Sequence, residues 1–477
     1  MKGDFTRDTF DAAKQFSRVL MQQGRVQVDA DWNEQTSILL HYLQTLARDI
    51  FGPHAGPAGA LGFGLATKDH PVDLDALDID PERRQVLKKH IEAGDILIGP
   101  GRYYVRGMMV ENAHYTLYSE QAGYPFADGL SVGLLPKQPW LAYLDVWERH
   151  VSCVEDDDIR EVALGGPDTA SRAQLVWQVK ALARPDNAEL FDCDSIHAMT
   201  ARRLPLLRAR AQQPKAPTEL CVISPEATYR GAENQLYRVE VHRGGVASDN
   251  ALLTPTFKWS RENGSVIFPV QLLNGASATL EHLGPDQCLG LQQGDWVEAL
   301  DDRLTLSGHS GPLAQVVAVD RDRGSVTLAW ADEAAHSYSE AEARAWHALL
   351  RRWDHVGDPA LDGALAVRER AADEAGLAGG WLELEDGVQV WFGQVGAVYR
   401  SGDYWLIPAR VATGDVEWPD DVGPGGKPVA AARQPHGPRH AYAPLFLMSG
   451  GGVAAPDGRA GQDCRCMIAP LPCVVPA

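Results

Sequence analysis

The segment Phe257-Lys258-Trp259-Ser260-Arg261-Glu262-Asn263-Gly264-Ser265-Val266 constrains the fold more than any other. An alternating run that ends in Asn-Gly is a strong hairpin signal, because the favoured tight turn needs positive φ at both central residues. Related patterns recur. Trp381–Phe392 carries Asp386-Gly387 between two apolar runs, and Gly99-Pro100-Gly101 and Gly107 punctuate the runs at 96–98, 102–106 and 108–111. With 46 glycines and 30 prolines, the chain reads as many short strands joined by turns. The expected fold is mainly β and multidomain. An N-terminal helix precedes small antiparallel β-sandwich and β-barrel units with a few further helices.

At 477 residues about two to four domains are expected. Finer segmentation follows the local patterns. Residues 1–66 read as an N-terminal anchor segment and helix. In it Gln22–Glu34 forms a turn at Gly24, a short strand at Val26 and Val28, and a helix start that Asp29 or Asp31 caps. Helical spacing of Trp32, Ile38, Leu39, Tyr42, Leu43, Leu46 and Ile50 runs up to the Gly/Pro stop at 52–57. Residues 67–217 form a β-rich domain with a connector that carries Arg202, Arg203, Arg208 and Arg210. Residues 218–275 read as sandwich-like, with Tyr237, Val239 and Val241 on one face of a strand and Leu236, Arg238, Glu240 and His242 on the other. Residues 276–337 read as a small five-stranded barrel. Residues 338–416 read as a helix (Ala341–Trp353) plus hairpins, and 417–477 as a turn-rich tail.

Composition narrows the function classes. The net charge of −20, without a long basic stripe, argues against nucleic-acid binding. No apolar run is long enough to cross a membrane. The seven cysteines are odd in number and scattered, unlike a secreted disulfide framework. Synthesis in a reducing cytoplasm is therefore expected. Cys464, Cys466 and Cys473 form the one dense group; it could hold zinc, close a local disulfide or remain free. The His436/His440 pair has helical zinc-ligand spacing, but Gly437 and Pro438 interrupt it. The Glu155–Asp158 run lacks the alternating spacing of a calcium loop. Asp168 and Arg172 are expected to pair. No metal, cofactor or catalytic residue is assigned.

Two sets of residues stand out. Phe5, Phe10, Phe16, Arg25, Trp32 and Tyr42 near the N-terminus are candidate interface residues, because the helix is more apolar than a solitary surface helix needs. Trp391, Trp405 and Trp418 lie in an aromatic-dense region that reads first as core, then as interface, then as a stacking platform for a glycan or cell receptor. A glycoside hydrolase would instead need paired carboxylates, with Glu148, Glu240 and Glu262 the candidates.

Several blocks occur together in a fixed order: the N-terminal block, Tyr-Tyr-Val-Arg-Gly (103–107), Leu-Asp-Val-Trp-Glu-Arg (144–149), Leu-Gly-Gly-Pro-Asp-Thr (164–169), Tyr-Arg-Val-Glu-Val-His (237–242), Phe-Lys-Trp-Ser-Arg-Glu-Asn-Gly (257–264) and Gly-Asp-Tyr-Trp-Leu-Ile-Pro-Ala-Arg (402–410). In these the chain resembles, from residue 1 to about 446, a bacterial family of unknown function. Members are often found near genes for contractile injection systems and phage-tail-like particles, and some carry a right-handed β-helix after this region. The resemblance implies a structural, non-enzymatic component at the baseplate or fibre attachment. It would dock onto other particle proteins as a homo-oligomer, and would be assembled into a particle that can be released from the cell.

Overall fold

Alternating side chains place one face of each strand in a core, and three large cores organise the chain. The computed structural model describes residues 1–68, 70–124, 135–136, 139–186, 188, 190–212, 228–248, 250, 253–286, 288–332, 334, 336–370, 380–423, 426–448 and 462–469. The chain is mainly β and multidomain, as its turn-rich alternation predicts. Among the described residues no helix is long and apolar enough to cross a membrane.

The first body pairs two sheets. Trp140–Val151 lies between Arg172–Ala183 and Ala441–Met448, with Gln462–Asp463 at the edge. The second sheet contains His54–Pro57, Gly101–Val105, Met108–Asn112 and Met467–Ile468. The hairpin turn at Arg106-Gly107 has positive φ at both residues, as the glycine punctuation predicts. Residues 441–448 and 462–468, read as part of a turn-rich tail, thus supply strands to both sheets. Ala441, Ala443 and Leu445 sit in the first core. Pro444 obscures this strand in the sequence, and the register shifts between Pro444 and Phe446.

The second body is a sandwich. One sheet runs Leu365–Ala366, Thr256–Ser260, Gln235–Arg243, Tyr404–Arg410, Asp415–Val416. It faces a smaller sheet of Leu382–Glu383, Val388–Gly393 and Leu206–Ala211 across Tyr237, Val239, Phe257, Val390, Phe392 and Trp405. The basic connector at 202–210 is therefore partly a sandwich strand. The Asp386-Gly387 turn forms the hairpin expected of it, with Leu382 opposite Val390.

The third body is a closed barrel of six strands. Ile267–Asn274, Ser277–Leu280, Ser325–Trp330, Leu313–Asp320, Trp296–Leu300 and Leu349–Trp353 follow one another around it, and the last pairs back with the first. It is wider than the 276–337 expected and takes a strand from each neighbouring segment. Only Glu340–Ala345 of the expected helix is helical; Leu349–Trp353 is strand, buried at every position. The barrel is inserted between two sandwich strands, Thr256–Ser260 and Leu365–Ala366.

This insertion overturns the expected hairpin at Asn263-Gly264. The turn itself forms, with positive φ at both residues and Ser265 N donating to Glu262 O at 2.9 Å. Its flanking strands then part: Thr256–Ser260 stays in the sandwich and Ile267–Asn274 enters the barrel. The turn is the crossing between domains.

Cys464 does not pair within its own cluster. It forms a disulfide with Cys193, 271 residues away, beside Leu141 and Ile196. Cys153, Cys288 and Cys466 are free, and Cys221 and Cys473 lie outside the described residues. The bond closes the first body around the inserted domains. Cys193→Ser is expected to lower stability by ~2–5 kcal/mol, measured by urea unfolding against the parent in the absence of reductant. An unchanged midpoint would mean that strand pairing alone anchors the strands at 441–448 and 462–468.

Candidate interaction site at the N-terminal arm and helix

Residues 1–28 form an arm with little regular structure, and Asp29–Phe51 forms a helix. The strand expected at Val26–Val28 is absent and the helix begins earlier than its apolar stripe. Asp29 does not cap the helix. Its carboxylate accepts from Thr6 N at 2.9 Å and Thr6 Oγ1 at 2.6 Å, which ties the arm to the first helical turn. Asp29 and Asp31 there still complement the helix dipole. Further along, Glu34 accepts from Thr9 Oγ1, and Gln35 Oε1 accepts from Val19 N at 2.8 Å.

The helix meets the first body at the 106–107 hairpin turn. A Cβ on Gly107 would lie 2.4 Å from Gln44 O, so only glycine permits this approach. Apart from this contact, the packing of Phe51 on Tyr104 and the arm, the helix faces solvent, with only Ala30 and Ile38 fully buried. Trp32 is 73% exposed, and Leu39, Tyr42, Leu43, Leu46 and Ile50 are all exposed. Soluble proteins seldom leave so many large apolar side chains contiguous.

The structure brings three of the six candidate interface residues together. Phe10, Phe16 and Tyr42 line a cavity of about 410 Å³ between arm and helix, with Glu34, Ile38 and His41. Phe10 packs on His41 with ring centroids 5.6 Å apart. Trp32 lies on another helix face, Arg25 is exposed in the arm, and Phe5 sits edge-on to His150 in the main body.

Residues 1–5 anchor the arm in a charged node that pattern reading missed. Asn263 Nδ2 donates to Met1 O and to Gly3 O, and Arg238 Nη1 donates to Met1 O. Lys2 Nζ lies 3.0 Å from Glu240. Glu240 also pairs with Arg238 at 2.6 Å, and Lys258 bridges it to Glu298 of the barrel at 3.5 and 2.6 Å. Trp353 Nε1 and Gly311 N donate to Glu298 as well. Arg238, Glu240 and Lys258 occupy the strand faces opposite the sandwich core. Those strands are buried on both sides, and alternation alone makes such a polar face look solvated.

Electrostatics follow from this packing. Burial on its own would raise the Glu240 pKa, but Lys2, Arg238 and Lys258 together hold it well below the ordinary carboxylate range. Burial, reinforced by Arg351 and the other nearby cations, lowers His150 to about 3. His355 is lowered to about 4 by burial, which outweighs its contact with Gly363 O.

The remaining candidates lie elsewhere. Trp405 is fully buried, and Trp391 is 4% exposed with Arg208 over its ring. Trp418 is half-buried and donates from Nε1 to Ala431 O. Trp405 belongs to the sandwich core and Trp418 packs on it, while Trp391 is buried on the other face of the strand Val388–Gly393, under Arg208; burial overturns the stacking-platform reading for Trp391 and Trp405. Glu240 is neutralised by cations, burial raises the Glu262 pKa, and Glu148 lies on the first-body strand Trp140–Val151. His436 and His440 diverge: His436 Nδ1 accepts from Leu406 N, and His440 bonds Asp145 at 2.7 Å. Asp168 and Arg172 do not pair. Asp168 accepts from Cys153, and Arg172 donates to the Ala170 and Ser171 carbonyls. Among the described residues no His, Cys, Asp and Glu side chains gather in a metal-ligating group.

In comparisons with known proteins, a family model described as a family of unknown function, DUF6519, matches residues 1–201 and 189–475. Neither a curated protein nor a solved structure matches the chain.

Two outcomes are expected at the node. Lys258→Ala leaves buried Glu298 without its paired lysine, while Glu240 keeps Lys2 and Arg238, and should destabilise by ~3–5 kcal/mol; a wild-type urea midpoint would detach the node from stability. Acid should also weaken the fold through His355. The unfolded chain protonates this histidine below pH ~6.5, whereas the fold keeps it neutral down to about 4. Its stabilising contribution is therefore complete above that range and falls by ~1.4 kcal/mol per pH unit as pH drops through it. Thermal midpoints of the parent and His355→Gln between these limits test this, and parallel pH profiles would contradict it.

Proposed function

The chain belongs to the DUF6519 family, and from that premise we propose that it is a structural, non-enzymatic component of a phage-tail-like contractile injection particle. It acts by docking at the baseplate or fibre-attachment level. The arm and helix form the docking element, and the three β bodies serve as a rigid support and spacer. The observation that carries this reading is the exposed apolar surface of the arm and helix, on which Phe16, Leu20, Met21, Trp32, Leu39 and Leu43 are all exposed. A surface of this kind marks an interaction site. The node supports the same reading, because it fixes the root of the arm in the body while the docking surface remains free. The sequence resemblance to proteins encoded near contractile injection systems indicates the kind of partner.

Affinity purification of the tagged chain from cells that produce tail-like particles should recover other particle proteins. A Phe16→Asp/Tyr42→Ala variant should lose them while keeping the parent's thermal midpoint. A parent chain that never co-sediments with such particles would overturn the assignment.

A further inference from the structure

The helix Asp29–Phe51 carries a second pattern within its apolar surface. Trp32, Leu39 and Leu46 are spaced by seven residues, and Thr36, Leu43 and Ile50 follow each of them by four. This alternating four-three spacing is the heptad repeat of a coiled coil. The first set occupies d positions and the second a positions. All six residues are exposed. At 3.6 residues per turn they fall on one narrow stripe. Glu34, Ile38 and His41, which face the arm, fall on roughly the other side of the helix. The arm reaches from that face round to Gln35 and Tyr42 at the edge of the stripe and leaves the six stripe residues exposed.

A 3.5-residue period matches another helix packed alongside, since it keeps the same seam facing the partner along the whole length. The flanks of the seam decide which helix this is. The e positions are Asn33, Leu40 and Ala47, and the g positions Gln35, Tyr42 and Asp49. Only Asp49 is charged. From Trp32 onward the seam and its flanks carry no charge but Asp49, so two copies of a chain with net charge −20 meet there with little local repulsion, and Asp29, at the preceding a position, is engaged by Thr6 of the arm. The seam also lacks the complementary e/g charges by which heterotypic coiled coils select an unlike partner. Leucine at two d positions and β-branched Ile50 at an a position favour two parallel strands.

We infer that two copies of this chain associate through their Asp29–Phe51 helices as a parallel, in-register coiled coil. This rests on the reading of the arm-and-helix region as a docking element and names a second copy as the occupant of its open face. Each helix then presents its arm-side cavity outward, where a different protein can be engaged.

Light scattering after gel filtration of the full chain tests the inference. The parent should elute at twice the chain mass. Leu43→Glu/Leu46→Glu should elute as a monomer with unchanged circular dichroism and thermal midpoint, because both side chains are exposed. A monomeric parent, or a double variant that remains dimeric, would overturn the inference. In a parallel pair position 43 meets its own copy, so Leu43→Cys treated with diamide should give a covalent dimer that the parent does not; a dimer without this cross-link would overturn the parallel arrangement. A monomeric parent that still co-purifies with particle proteins would remove the coiled coil and leave the docking role. A dimer found without particle proteins would do the reverse.

Discussion

Lys258 is the hinge of the structure. It lies on a sandwich strand, is buried completely, and binds Glu240 of the sandwich and Glu298 of the barrel. Charges withdrawn from water in this way are tolerated only when nearly all their partners are present at once. The partners come from distant parts of the chain: Lys2 from the N-terminus, Arg238 and Glu240 from one strand, and Trp353 and Glu298 from the barrel. His150 of the first body packs against Phe5 beside them. Forming the node therefore requires the sandwich, the barrel and the arm to be in place together. That requirement couples the sandwich and the barrel, whose apolar cores are otherwise separate, and ties the arm to both.

The topology explains why such a coupling is useful. The barrel is an insertion in the sandwich, and the first body is completed by strands from the far end of the chain. Two covalent crossings join sandwich to barrel, one of them the Asn263-Gly264 turn. Asn263 bonds the arm through the same turn, so a single residue serves both the crossing and the anchoring of the N-terminus. The arm leaves this rigid root and runs past the sandwich, where Arg7 meets Glu417, before it reaches the helix. Rigidity at the root and apolar exposure at the helix are complementary features. A docking surface on a loosely held arm would lose more conformational entropy on binding.

How far the sequence could be read depended on the physical signal involved. The hairpins at Arg106-Gly107 and Asp386-Gly387 were legible because positive φ is a local demand of two adjacent residues. Asn263-Gly264 met the same demand, and its turn formed, but the pairing of its flanking strands is a long-range matter. Leu349–Trp353 read as helix because its apolar residues continue the spacing of a genuine short helix, Glu340–Ala345. The strand Ala441–Met448 was hidden by Pro444 and by a turn-rich neighbourhood. In the candidate site, Phe10, Phe16, Trp32 and Tyr42 were legible as too apolar for a solitary arm and helix. The charged node was not, because Arg238, Glu240 and Lys258 alternate with core residues just as a solvated strand face would.

The sequence by itself therefore determined the class of the protein: short strands, their tight turns, the N-terminal helix and its surplus of apolar side chains. Each depends on residues within a few positions of one another, through φ preferences and periodicity. The tertiary structure alone decided which strands pair, that the barrel is inserted in the sandwich, that Cys193 meets Cys464, and that a polar strand face is buried. These depend on which distant surfaces come together, and burial changes the meaning of a residue. The same glutamate is a solvated charge on an open face and an obligatory ion-pair partner in a closed one.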